Sequence, residues 1–175
     1  MPEYKDIINY IISFSSVAVT GIFSYLVWRA TQKSTKVAQE SYNLSQSIIS
    51  SQKQLKVNVK GEFIRLIISR ANDVIDILRI QNSGANISKM KSIPKNCGLS
   101  EMQIAEYFDV DERGIINKSW DILNDYLEKF WTDKYGKFKD SFSGNEIDYA
   151  ITSTTEPLEA FTSLLRKMEE LKIGG

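Results

Sequence analysis

The chain has 175 residues, and its 22 basic side chains balance 22 acidic ones, so a globally basic nucleic-acid binder is disfavoured. It has no histidine, which excludes Ser/His and Cys/His nucleophile pairs and any imidazole ligand, and its single cysteine, Cys97, cannot form an intrachain disulfide. Mean hydropathy is −0.25, yet Ile7 to Trp28 carries no charge at all.

That uncharged run would rise roughly 33 Å as a helix, about the thickness of a hydrocarbon core. A signal peptide is the competing reading. It would need a basic leader and a shorter apolar stretch, whereas the leader here is Met-Pro-Glu-Tyr-Lys-Asp, and Trp28-Arg29 closes the run as an interfacial anchor followed by a stop-transfer charge. The expectation is a retained span over 7–28, after a short external segment, 1–6. Arg29, Lys33 and Lys36 on the far flank outnumber Lys5, which is offset by Glu3 and Asp6. The positive-inside rule therefore predicts an inner (cell) membrane protein with its N-terminus outside and residues 29–175 in the cytoplasm.

At about 100° per residue, Asn9, Ser13, Ser16, Thr20 and Ser24 fall within an arc of roughly 80°, with Val27 inside it. A lone helix would bring these polar groups into hydrocarbon, so the stripe predicts packing against other helices. Two readings stay open. The stripe is either a helix-packing face, or the lining of a narrow pore surrounded by three or more copies of the chain.

No Pro or Gly occurs between Trp28 and Gly61, so nothing local stops the helix at the membrane surface. Residues 29–60 hold six of the basic side chains and one acid, Glu40. A seven-residue repeat can be read with Val27, Ser34, Ser41, Ile48 and Leu55 at one seam position and Ser24, Thr31, Ala38, Ser45 and Gln52 at the other. This juxtamembrane stretch is a lone solvated spacer helix, a flexible Ser/Gln-rich linker, or a coiled-coil-like stalk that prolongs a membrane bundle.

From Gly61 the pattern becomes that of a helical cytoplasmic domain, 61–175. Ile64, Ile67, Ile68, Ala71, Val74, Ile75 and Leu78 share one face of a helix from about Glu62 to Gln81. Asn82 to Gly98 reads as a long loop, and within it Lys89, Lys91 and Lys95 follow one another without an intervening acid. Those lysines are a candidate site for an anionic ligand such as a nucleotide or phosphate backbone, the competing reading being a solvated loop. Ser100 and Gln103 form a capping-box pattern for a short helix ending near Phe108. Ile116, Trp120, Leu123, Leu127 and Phe130 then step by four and three along a second core helix. Tyr135 to Asn145 reads as a loop, and a last helix starts at Thr155 and ends at Gly174. With no run that alternates as a strand, the fold class is all-α.

No catalytic, cofactor or metal site is predicted. Asp109-Val-Asp111-Glu112-Arg113-Gly114 opens like a calcium loop but puts Arg113 where an oxygen ligand belongs and Trp120 where the closing Glu should stand. Glycine-rich phosphate loops, paired-Cys boxes and nucleophile elbows are all missing, so the chain is not expected to be an enzyme.

The polar-striped N-terminal span, the exit Trp28-Arg-Ala-Thr-Gln-Lys-Ser-Thr, the helix Tyr42-Asn-Leu-Ser-Gln-Ser-Ile-Ile-Ser-Ser-Gln and the small helical domain together resemble membrane effectors of bacterial anti-phage defence. In general plan they are most similar to the channel effector of the Hailong system. The resemblance implies a homo-oligomeric ion channel held inactive by a single-stranded DNA oligomer, or related nucleotide, made by a partner nucleotidyltransferase. It assigns no role to any residue, because no motif is matched position by position.

Overall fold

In a computed structural model that describes residues 3–81 and 86–173, the chain is all-α. Among the described residues the only strand-like pairing is an isolated bridge between Thr132 and Phe138. The helices are α1 (Glu3–Gln81), α2 (Ile87–Lys91), α3 (Glu101–Tyr107), α4 (Val110–Tyr126), α5 (Glu146–Thr152) and α6 (Thr155–Ile173). A π-helical turn, Leu127–Trp131, extends α4. Contacts divide the chain into two units, the boundary falling between Lys53 and Gln54 inside α1.

The first unit is a single helix whose side chains from Tyr4 to Lys53 are all exposed. Gly21 is its one weak helix former of the Gly/Pro kind, and space around that residue is open. Beyond Trp28 the polar side chains support the helix locally. Gln39 Nε2 donates to Asn43 Oδ1 (3.2 Å), Gln46 Nε2 to Tyr42 Oη (3.2 Å), and Lys36 stands 4.0 Å from Glu40.

The second unit is built on the remainder of α1. Ile64, Ile67, Ala71, Val74, Ile75 and Leu78 are buried at the three- and four-residue steps that the sequence displays. Earlier in the same helix, Lys60 Nζ lies 2.8 Å from both oxygens of Glu112, whose side chain is only 4% exposed. Glu112 also accepts from the backbone N–H of Asp109 (2.8 Å), and Asp109 Oδ1 accepts from Glu112 N–H (2.8 Å), a capping box that starts α4. Lys60 and Lys56 lie over the rings of Phe108 and Tyr107 at 5.4 and 5.7 Å, and Phe63 meets Tyr107 edge-on at 5.1 Å. The acids read as a failed calcium loop thus cap a helix and hold a lysine.

α4 packs on α6, with Trp120 edge-on to Phe161 at 4.7 Å and Ile116, Leu123, Leu164 and Met168 buried around them. The π turn corrects one expectation. Of the two aromatics expected in the core here, Trp131 is fully buried, while Phe130 is turned by the extra residue of the π turn and only half-buried against the core. Trp131 Nε1 donates to Tyr126 Oη (2.8 Å), which donates to the carbonyl of Ala150 (2.9 Å) in α5. Burial pushes the Tyr126 phenol up to about 12, partly opposed by the bond from Trp131.

The expected loop from Asn82 to Gly98 also needs correction, since it contains α2; Asn82 to Ala85 lie outside the described residues. α2 forms because the Asn86 side chain accepts from Lys89 N–H (3.0 Å), while Met90 anchors the turn in the core. Buried Gln81 exchanges two hydrogen bonds with the Asn86 backbone, tying the end of α1 to the start of α2. α3 is capped by Ser100 and Gln103 as the sequence indicates, and ends against Phe108. α5 is absent from the sequence reading. α6 starts at Thr155 as expected, whereas Gly174, its expected end, lies outside the described residues.

Two stability predictions follow from these bonds. Replacing Lys60 by Ala strips Glu112 of its cation and should cost about 3 kcal/mol in a denaturant melt, with Lys60→Met/Glu112→Leu recovering most of it. The two tryptophans should respond differently to Phe. Trp120 Nε1 is buried without a hydrogen-bond partner, so Trp120→Phe should cost about 1 kcal/mol or less. Trp131→Phe breaks the chain to Tyr126 and Ala150 and should cost about 2 kcal/mol or more.

Candidate functional site

Two surfaces carry the residues that the sequence singles out. The first lies on the N-terminal part of α1, where the described helix is long and apolar enough to cross a membrane and none of its apolar window is buried within the chain. Asn9, Ser13, Ser16, Thr20, Ser24 and Val27 are all exposed and sit along one side of this helix, as the spacing of an α-helix requires. The remaining surface is large and apolar, including Ile12, Phe14, Val19, Ile22 and Leu26. At the end of the uncharged run, the Tyr25 and Trp28 rings are paired at 6.0 Å just before Arg29, the first charge after Asp6.

Not every hydroxyl on the stripe is unsatisfied. Thr20 Oγ1 donates to the Ser16 carbonyl (2.8 Å), and past the span Thr31 and Thr35 do the same to Val27 and Thr31 (2.9 Å each). Val27 and Ser16 thus contribute backbone carbonyls as well as side chains. Gly21 leaves open space at its Cβ position and adds a small residue to the span without any close approach inside the chain.

The second surface is the lysine-bearing segment of the second unit. Lys89 and Lys91 lie in α2, and Lys95 follows it. All three are exposed, but they are not three free cations. Lys91 Nζ pairs with Asp140 Oδ1 at 2.7 Å, and Lys95 Nζ sits 5.1 Å from the centre of the Phe138 ring. Lys89 Nζ has no partner among the described residues. The Lys95 carbonyl accepts from Asn124 Nδ2 (3.3 Å), which fixes that segment to α4.

Phe138 and Asp140 come from a bend that the sequence reading left as featureless loop. Asp133 Oδ1 accepts from the N–H groups of Tyr135 (2.8 Å) and Lys137 (2.9 Å), and Asp133 N–H donates to the Lys137 carbonyl (2.7 Å). Gly136 supplies the left-handed residue, φ +75°, that this turn demands. The signal was present as Asp133 followed three residues later by Gly136. Nearby, Lys139 lies 3.6 Å from Glu146 and over the Phe142 ring at 5.5 Å. The Lys91 ammonium, through its hydrogen bond and its charge, holds the Asp140 carboxyl below the usual range. The Ser143 backbone N–H, followed by Lys139, does the same for Glu146.

Among the described residues no group of three or more His, Cys, Asp or Glu is placed to hold a metal ion. No protein-family model matches the chain, and neither a curated protein nor a solved structure does.

The Lys91–Asp140 pair is open to direct test. A depressed carboxylate contributes stability that is present above its ordinary pKa and lost as pH falls through the depressed value. Lys91→Ala should therefore return the Asp140 carboxyl toward the ordinary value of about 3.9 in a carbon-detected titration, and leave Glu146 where it was.

Proposed function

We propose that this chain is a single-span membrane protein that assembles, in three or more copies, around its polar stripe to form an ion-conducting pore, controlled by the helical domain that follows. The N-terminus faces outward and the domain lies in the cytoplasm, against the inner face of the cell membrane. The observation that carries this reading is the exposed line of Asn9, Ser13, Ser16, Thr20 and Ser24 along a helix long and apolar enough to span, with nothing in the chain itself to cover it. Small side chains at these positions leave room for a water column between helices. The resemblance to anti-phage channel effectors gives such a pore a role, depolarising an infected cell, and gives its domain a gating ligand, a partner-made nucleotide or single-stranded DNA oligomer. Such an anion would meet Lys89 first, because Lys91 and Lys95 are already engaged.

A second reading has its own support. Because Thr20 is satisfied by the Ser16 carbonyl, part of the stripe needs no water, and the span would then be an anchor that packs against other helices and tethers an interaction domain.

Conductance separates the two. Thr20→Leu and Ser24→Leu should lower single-channel current in reconstituted bilayers by tenfold or more while the assembly survives, and Ile22→Leu, about 160° round the helix from the stripe, should leave it near wild type. Wild-type protein that is monomeric or dimeric in detergent, or that passes no current with or without its cellular partner, would leave only the anchored domain.

A further inference from the structure

Past the membrane-length segment, α1 exposes five large apolar side chains between Ala30 and Ser51, and they form two ridges rather than one. At 100° per residue Val37, Leu44 and Ile48 lie within an arc of about 40°, and Tyr42 and Ile49 lie together about 130° away. The strip between the ridges holds Ser34, Ala38, Ser41 and Ser45, all small and uncharged. Arg29, Lys33, Lys36 and Glu40 lie outside it, beyond the first ridge, and Gln32, Gln39 and Gln46 occupy the far side of the helix.

We propose that copies of this chain stand side by side along this stretch in a ring, the Val37–Leu44–Ile48 ridge of one copy packed on the Tyr42–Ile49 ridge of the next, with the Ser34–Ala38–Ser41–Ser45 strip facing the common axis. A two-stranded coil would cover one ridge and leave the other in water, 59–60% exposed at Ile49 and Tyr42. A ring uses both, because each subunit offers two different faces to its two neighbours. The angle between the ridges is wider than the roughly 60° between contact faces of a three-helix bundle, so the ring holds more than three copies. Identical copies are the occupant that the pattern fits. Leu44 and Ile48 stand within about 3 Å in height of Tyr42 and Ile49, the ridges bring no charge into the contact, and chains inserted in one direction are already parallel. The small-residue strip lies on the side of the helix that carries Ser16, Thr20 and Ser24, so the ring prolongs the lumen of the pore into the cytoplasm. This rests on the oligomeric pore reading and adds to it the neighbour contacts and a copy number above three. It also replaces the simple two-position seam through Thr31, Ala38 and Ser45, which now faces the axis instead of a partner.

Cysteine pairs in the full-length protein, oxidised in its own membrane, test the ring. Buried Cys97 makes the wild type a silent background. Tyr42→Cys/Leu44→Cys places one thiol on each ridge about 3 Å apart in height, and should give a ladder of covalent dimers, trimers and larger species. Either single variant should give at least fivefold less product. Efficient dimers from Leu44→Cys alone would mean a two-stranded coil and overturn the ring, as would no product from the double variant. A ladder from protein that passes no current would sink the pore and leave the ring standing.

Discussion

A helix long and apolar enough to cross a membrane has to pair every backbone N–H and C=O of that stretch within itself, and the rest of this structure is built on how α1 keeps that ladder unbroken. Between Ile7 and Gln81 the chain has no proline, so the hydrogen-bond ladder is never interrupted by a missing donor. Its two glycines, Gly21 and Gly61, cost about 1 kcal/mol each relative to Ala but break nothing. Because the ladder runs on past Trp28 without a break, side-chain chemistry alone distinguishes one stretch of the helix from the next. Residues 7–28 are apolar with a polar stripe, 29–53 are polar with two apolar ridges, and 64–78 carry the buried face of a globular core.

Inside the second unit, polar groups do the positioning and apolar ones supply the bulk. Glu112 closes a capping box, accepts from Lys60 and is nearly buried, so it sets where α4 begins relative to α1. An ion pair of this kind adds little net stability over a hydrophobic replacement, but removing one partner leaves a buried charge, which makes the alternative arrangements costly. The chain from Trp131 through Tyr126 to Ala150 has the same function for the π turn and α5. Trp120, whose indole N–H finds no partner, is the exception in this core, and it is held by shape against Phe161.

Helix positions were legible where periodicity was strong and caps were explicit. The buried face of α1, the Ser100 cap and the Thr155 start of α6 can be read from spacing alone, because each reports a local rule, whereas the Asp109 cap was hidden behind its likeness to a calcium loop. What failed was non-local or short. α2 and α5 have five and seven residues, too few for a periodic signal, and they exist because Met90 and Ala150 are pulled into a core built elsewhere. Trp131 could be placed in the core by its size, but the four-three spacing also put Phe130 there, and the π turn leaves that ring only half-buried against it. The three lysines were visible as a cluster, but their partners Phe138 and Asp140 lie more than forty residues on, brought back by the Asp133 turn.

The energetics of the stripe narrow what polarity alone can say about conduction. Thr20 returns its hydroxyl to the Ser16 carbonyl, so its side chain needs no partner outside the helix. Asn9 has the most demanding group, a carboxamide with two donors and an acceptor, but it stands only two residues, about 3 Å, from the start of the uncharged run. The residues left to force water or a partner into the middle are Ser13, Ser16 and Ser24, and an interhelical hydrogen bond of this kind yields about 0.6 to 2 kcal/mol. Such a sum is small enough for close helix packing to satisfy without any water. In an assembly of the proposed kind, whether a column of water persists would therefore be decided by how far apart the copies hold their helices, a property of the apolar ridges past Trp28 and of the number of copies they admit, rather than of the hydroxyls themselves.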